Sequence, residues 1–111
     1  MSSLSRDADG AEVIRIFKSA VHPDEVDEVV RLFAEDVKPV FESIEGCLSI
    51  ELVAETSQAS TGLVEGAVIT RWKSRSAMLA GLEDPRVEES QQRVRRLLRR
   101  QPIVIEYTVL A

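Results

Sequence analysis

The order of apolar patterns along the chain predicts an α+β protein of ferredoxin-like βαββαβ type with a four-stranded antiparallel sheet. Three observations predict it. Four short stretches rich in Val, Ile, Leu and aromatic residues read as strands. A stripe of apolar residues at helical spacing separates the first two. Two capped helical segments separate the last two.

Glu12 to Val21 reads as the first strand, because Val13, Ile14, Ile16, Phe17 and Val21 are β-formers with no Gly or Pro among them. His22-Pro23 ends it, since the residue before proline is pushed into extended geometry and proline cannot continue a ladder. A helix starts at Pro23 or Asp24, with Asp24, Glu25, Asp27 and Glu28 placed to complement its dipole. Val26, Val29, Val30, Phe33, Val37, Val40, Phe41 and Ile44 then form one stripe. Pro39 removes a backbone donor at a cost of about 3 kcal/mol. The stripe continues past it, so a bend is expected rather than a break. Gly46 is the stop.

Cys47 to Ala54 is the second strand, with Leu48, Ile50 and Leu52 on one face and Ser49 and Glu51 on the other. Residues 56–62 form a long polar hairpin loop, and the third strand runs from Leu63 to Trp72. Ser74 caps a short helix holding Ala77, Met78, Ala80 and Leu82. Asp84-Pro85 opens another helix, expected over Pro85–Arg100, with Glu88 and Glu89 early and Arg93, Arg95, Arg96, Arg99 and Arg100 late. Ile103 to Leu110 is the last strand.

At 111 residues the chain is one domain, residues 12–111, behind a small polar tail over residues 1–11 that should fray. No stretch approaches the ~20 apolar residues of a membrane span, and no charged-then-apolar leader is seen, so a cytoplasmic location and no membrane partner are expected. Net charge −5 argues against nucleic acid as a partner. The late arginines suit the helix dipole and solvent. Cys47 is the only cysteine and reads as a small buried hydrophobe. No metal-ligand spacing, glycine phosphate loop or Ser-His-Asp arrangement is signalled.

Two helices on one face of such a sheet leave the other face bare. It is expected to carry Ser49, Glu51, Glu106 and Thr108, with either Thr70 and Trp72 or Arg71 and Ile69 from the third strand. Val53, Val104 and Leu110 share that parity and add apolar area, which suits either a solvated face or a sheet packed on a second copy.

Several blocks resemble the antibiotic biosynthesis monooxygenase domain family. Trp72-Lys73-Ser74-Arg75-Ser76-Ala77 is similar to its Trp-x-Ser-x-x-Ala signature, following a matching third strand Val68-Ile69-Thr70-Arg71. Gly46-Cys47 through Leu52 is similar to its Pro-Gly-Cys-x-x-x-x-Leu turn, with Glu45 in place of proline. Asp84-Pro85-Arg86-Val87 resembles its helix start. The resemblance covers residues 12–110 and implies a dimeric α+β barrel, a homodimer joined through the sheet faces. It also implies a cofactor-independent monooxygenase acting on an anthrone- or hydroquinone-like aromatic, with no cofactor expected. A non-catalytic small-molecule-binding or regulatory protein of the same fold is the alternative. Departures from the family's pattern are Gly81 and Arg86 where a histidine is common. Against the haem-degrading branch stand the absence of any asparagine and Gln91 near the ligand position.

The candidate catalytic residues are Trp72, His22 and Arg71. Trp72 either fills the core or shapes an aromatic pocket. His22, the only histidine, is either an exposed residue at the helix start or a proton-transfer group. Arg71 is either a surface charge or an oxyanion partner. The expected binding cleft has Trp72, Met78 and Leu82 on one wall and Phe33 and Val37 on the other.

Overall fold

A computed structural model describes residues 10–57 and 61–111. The expected tail lies almost wholly outside the described residues, as does the tip of the 56–62 loop. Four strands, β1 (Val13–Val21), β2 (Cys47–Ala54), β3 (Val64–Trp72) and β4 (Ile103–Thr108), form one antiparallel sheet in the order β2-β3-β1-β4. Three helical runs cover one face: α1 over residues 23–42, α2 (Arg75–Leu82) and α3 (Pro85–Arg95). This is the ferredoxin-like α+β fold.

α1 changes character along its length. It opens as a 3-10 turn over Pro23–Glu25, is α-helical over Val26–Leu32, widens to a π turn over Phe33–Val37 and resumes over Lys38–Glu42. In the wide turn the Lys38 N–H donates to the Phe33 carbonyl, five residues back. Pro39 has no N–H to give and its ring crowds the carbonyl four residues earlier. Widening the preceding turn relieves that crowding, so the helix continues through the proline. Gly46, at φ 89°, stops the run, and its carbonyl accepts from Lys73 N–H at 2.9 Å.

Both cap expectations hold. Ser74 Oγ accepts from Ala77 N–H at 3.1 Å and Asp84 Oδ1 from Arg86 N–H at 2.9 Å. The last helix is shorter than expected, ending at Arg95 rather than Arg100. Its tail is used elsewhere: β4 pairs only with Val13–Lys18 of β1, leaving the end of β1 unpaired on that side. Leu98 bridges Val21, Arg99 N–H donates to Ala20 O at 2.8 Å and Ser19 Oγ donates to the Arg100 carbonyl at 2.8 Å. Backbone groups at a sheet edge need partners, and the arginine-rich segment supplies them.

The register corrects the expected faces. Arg15 stands opposite Thr70 and Glu106, and Val13 opposite Trp72 and Thr108. Glu106, Thr108 and Val104 therefore lie on the helix side, not the bare one. The bare face consists of three rows read across the sheet: Ser49-Arg71-Ile14-Tyr107, Glu51-Ile69-Ile16-Ile105 and Val53-Ala67-Lys18-Ile103. A bulge between Cys47 and Ser49 keeps Cys47 beside Trp72 and turns Leu48 out, so Leu48 is half-exposed rather than buried with Ile50.

The core lies between sheet and helices: Val13, Val37, Phe41, Ile44, Ile50, Trp72, Met78 and Val87. Cys47 packs partly buried against it, and burial pushes its thiol pKa up. Among the described residues no helix is long and apolar enough to cross a membrane.

Candidate active site

Trp72 ends β3 on the helix side and is wholly buried. Its ring meets Phe41 edge-on, centroids 6.2 Å apart at 64°. Its indole N–H donates to Thr70 Oγ1 at 2.9 Å. Met78 is also fully buried, and Leu82 packs against the same cluster. The wall expected from Trp72, Met78 and Leu82 is thus closed packing, with no cleft between it and Phe33 and Val37.

The open cleft lies further along the sheet, where α1 and α3 splay from it. A narrow inner stretch is lined by Arg15, Phe33, Val37, Phe41, Thr70 and Gln91. It runs through Phe17, Val29, Leu52, Val68 and Val94, which line both parts, into a wider stretch of about 190 Å³ ending near Val21 and Leu98. Phe33 and Val37 reach it because they occupy the first and last positions of the π turn. That turn is fastened to α3 by a two-pronged ion pair, Arg93 Nε to Asp36 Oδ2 at 2.5 Å and Nη2 to Oδ1 at 3.0 Å.

Polar groups gather at the inner end. Arg15 and Thr70 are cross-strand neighbours, which brings their β-carbons to about 5 Å. Thr70 Oγ1 accepts from Trp72, and its own proton has no acceptor among the described residues. Burial is the main influence on Arg15 and pushes its pKa down; Glu106 opposes that and Arg95 adds to it. The Arg15 guanidinium lies 5.8 Å from the Phe17 ring centre. None of the described residues lining the cleft is His, Asp, Glu or Lys.

The other two candidates lie apart from this cleft. His22 caps the 3-10 turn, its Nδ1 accepting from Asp24 N–H at 3.3 Å, with its side chain half-exposed. It stands beyond the far end of β1 from Trp72's partner Val13, roughly 30 Å away at about 3.4 Å per residue. The two side chains cannot serve one site within a chain. Arg71 is on the bare face, paired with Glu12 at 2.6 Å. Sequence reasoning missed Arg15, although its signal was present: a charge at the parity of Val13 and Phe17, both buried.

The sheet and its helices thus form a ferredoxin-like α+β domain with an apolar cleft between them and hydrogen-bond donors at one end of it. The chain belongs to the antibiotic biosynthesis monooxygenase family, whose sequence model matches residues 12–93. No curated protein matches it in sequence. Among solved structures it is similar to a point mutant of SnoaB from Streptomyces nogalater, a cofactor-independent oxygenase. The identity is 18%, with 89% of this chain and 93% of that one covered, at a TM-score of 0.73. It is also similar to Rv0793 from Mycobacterium tuberculosis, with 23% identity, 91% and 97% covered, and a TM-score of 0.68. A conserved protein from Methanosarcina mazei Go1 matches at 17% identity, 88% and 92% covered, and a TM-score of 0.70. At these identities the likeness establishes a shared fold.

Proposed function

We propose that this chain is a monooxygenase-like oxidoreductase holding a hydroquinone- or anthrone-like aromatic in the sheet–helix cleft. Family membership and the fold shared with a cofactor-independent oxygenase support the reaction class. The observation that carries the reading is the cleft itself, with apolar walls of Phe17, Phe33, Val37, Leu52 and Val68 ending at the Thr70 hydroxyl and the Gln91 amide. In such chemistry the activated methylene of an anthrone loses its two hydrogens and gains one oxygen atom as a carbonyl. The second atom of dioxygen leaves with those hydrogens as water. The protein's part is to hold the ring system, exclude water and favour the substrate's ionised oxygen with preplaced donors. A volume of about 190 Å³, against roughly 300–1,000 Å³ for drug-sized sites, favours the smaller, hydroquinone-sized members of that range.

The working form is a homodimer joined through the bare sheet face, where Ile14, Ile16, Ile69, Ile105 and Tyr107 lie together across three strands. Tyr107 and Ile103 are more than half exposed in the single chain, which suits burial against a second copy. The proposal includes a cytoplasmic location, where a lone cysteine such as Cys47 stays reduced.

One observation favours a second reading, a binding protein without turnover: among the described residues the cleft lining has no side chain able to serve as a general base. Oxygen uptake with a panel of hydroquinones and anthrones separates the two. Consumption of dioxygen above the buffer rate supports the enzyme. Saturable binding with no consumption supports the binder.

A further inference from the structure

We propose that Arg15 makes the inner end of the cleft an acid-binding subsite, so that the apolar ligand it takes carries a carboxylate. This rests on the reading of the cleft as the ligand site. Among the described residues, Arg15 is unlike the other arginines. Arg31, Arg71, Arg75, Arg86, Arg93, Arg99 and Arg100 each pair with a carboxylate on the protein surface. Arg95 and Arg96 have no ion pair among the described residues but are exposed to water. Arg15 alone is partly buried, lines a cavity, and has neither an ion pair nor a side-chain hydrogen bond among the described residues.

A guanidinium stays charged under these conditions, and a charge taken from water without a partner is costly. The groups facing it do not remove that cost. The Phe17 ring offers only its face. Glu106, across the strand pair, is within 3.7 Å of Arg75 and makes no hydrogen bond to Arg15. Arg95 lies over the same Phe17 ring at 6.0 Å and adds positive charge. The local balance is therefore positive, inside a lining that is otherwise apolar. Thr70 lines the same end; its Oγ1 accepts from Trp72 and its own proton has no acceptor among the described residues.

A planar guanidinium with free N–H groups matches the two oxygens of a carboxylate. The apolar walls match a ring or short hydrocarbon attached to it. A neutral hydroquinone would leave the Arg15 charge unpaired; an aromatic or aliphatic acid would neutralise it.

The test compares two probes of nearly equal size, 2-naphthoate and neutral 2-naphthalenemethanol, titrated by calorimetry into the 111-residue chain at neutral pH. The acid should bind at least about tenfold more tightly than the alcohol, the range of a charge-assisted hydrogen bond. Arg15→Gln should abolish that preference while the alcohol's affinity changes less than about twofold, since its ring contacts are kept. Arg96→Gln, at an exposed arginine outside the cleft, should leave the preference intact. Equal affinities for wild-type protein, or a preference that survives Arg15→Gln, overturn the Arg15 assignment and leave the cleft reading standing. Binding of neither probe overturns both. The wild-type comparison needs no variant to fold.

Discussion

The indole of Trp72 occupies the space that a β-carbon on Gly81 would need. A β-carbon there would lie 2.6 Å from Cζ3 and 2.8 Å from Cη2 of Trp72, and 2.8 Å from Cγ2 of Ile44. Gly81 sits inside α2, where alanine would ordinarily be favoured by about 0.5–1 kcal/mol. Here closeness outweighs propensity. Gly81→Ala should destabilise the protein by about 1–3 kcal/mol, the usual cost of overpacking a filled core. Urea denaturation checks this, and a variant more stable than wild type would show that the indole has room to move.

Trp72 does not line the cleft, but its indole N–H donates to Thr70, which does. Trp72→Ala should cost about 3–5 kcal/mol as a core truncation. Trp72→Phe keeps most of the apolar volume but takes the N–H from a buried hydroxyl, with a cost of about 1–3 kcal/mol. In a Thr70→Val background that second cost should shrink by about 1 kcal/mol, because no hydroxyl is left to lose its partner. A double-mutant cycle with additive effects would mean the bond contributes nothing.

The rows on the bare sheet face predict where a second copy is most sensitive. Ile16 is central, with Ile69 and Ile105 directly opposite it on the two neighbouring strands. Ile16→Glu should leave helical circular dichroism unchanged and convert a dimer to a monomer in sedimentation at micromolar concentration. Wild-type protein that sediments as a monomer would remove the dimer from the proposal.

Acid should loosen the start of α3. The Asp84 carboxyl accepts from Arg86 N–H, Nε and Nη2, and these bonds hold its pKa below the ordinary 3.8. A depressed carboxyl contributes stability that is full above its unfolded-state value and is lost as pH falls through the folded one. Wild-type thermal stability should therefore decline below about pH 4. Asp84→Asn, lacking the charge throughout, should show a shallower decline over that window. Parallel acid profiles would show the pairing to be without effect.

Features set by neighbouring residues were legible in the chain: the element order, the caps at Ser74 and Asp84, the stop at Gly46 and most of the stripe from Val26 to Ile44, of which Val30 is half exposed. Features set by long-range pairing were not. Both parities of β4 are apolar, Ile103-Ile105-Tyr107 on one side and Val104 on the other. Only the pairing with β1 decides that Glu106 faces the helices. Leu97 and Leu98 fit the helical stripe of α3, yet the unpaired end of β1 drew that segment into a bridge. The cleft escaped for the same reason. Trp72 is the residue a pattern search notices, whereas Arg15 shows in the sequence only as a charge at the parity of Val13 and Phe17, and becomes distinctive once the fold sets it beside Thr70 with no carboxylate hydrogen-bonded to it.

The wide turn over Phe33–Val37 means that α1 carries one more residue than a regular helix of the same number of turns. Each residue of an α-helix advances the chain by about 100°. Deleting one residue from the turn, Glu35 for instance, would regularise the coil and swing Val26 and Val29 by about that angle, away from the sheet. Val37 and Phe41, beyond the deletion, would stay seated. A single-codon deletion would thus reshape the outer part of the cavity and the Phe33 side of the inner part, while Val37 and Phe41 keep their places beside Arg15 and Thr70. Chain length in this helix, as much as side-chain identity, is a variable by which ligand size can be tuned.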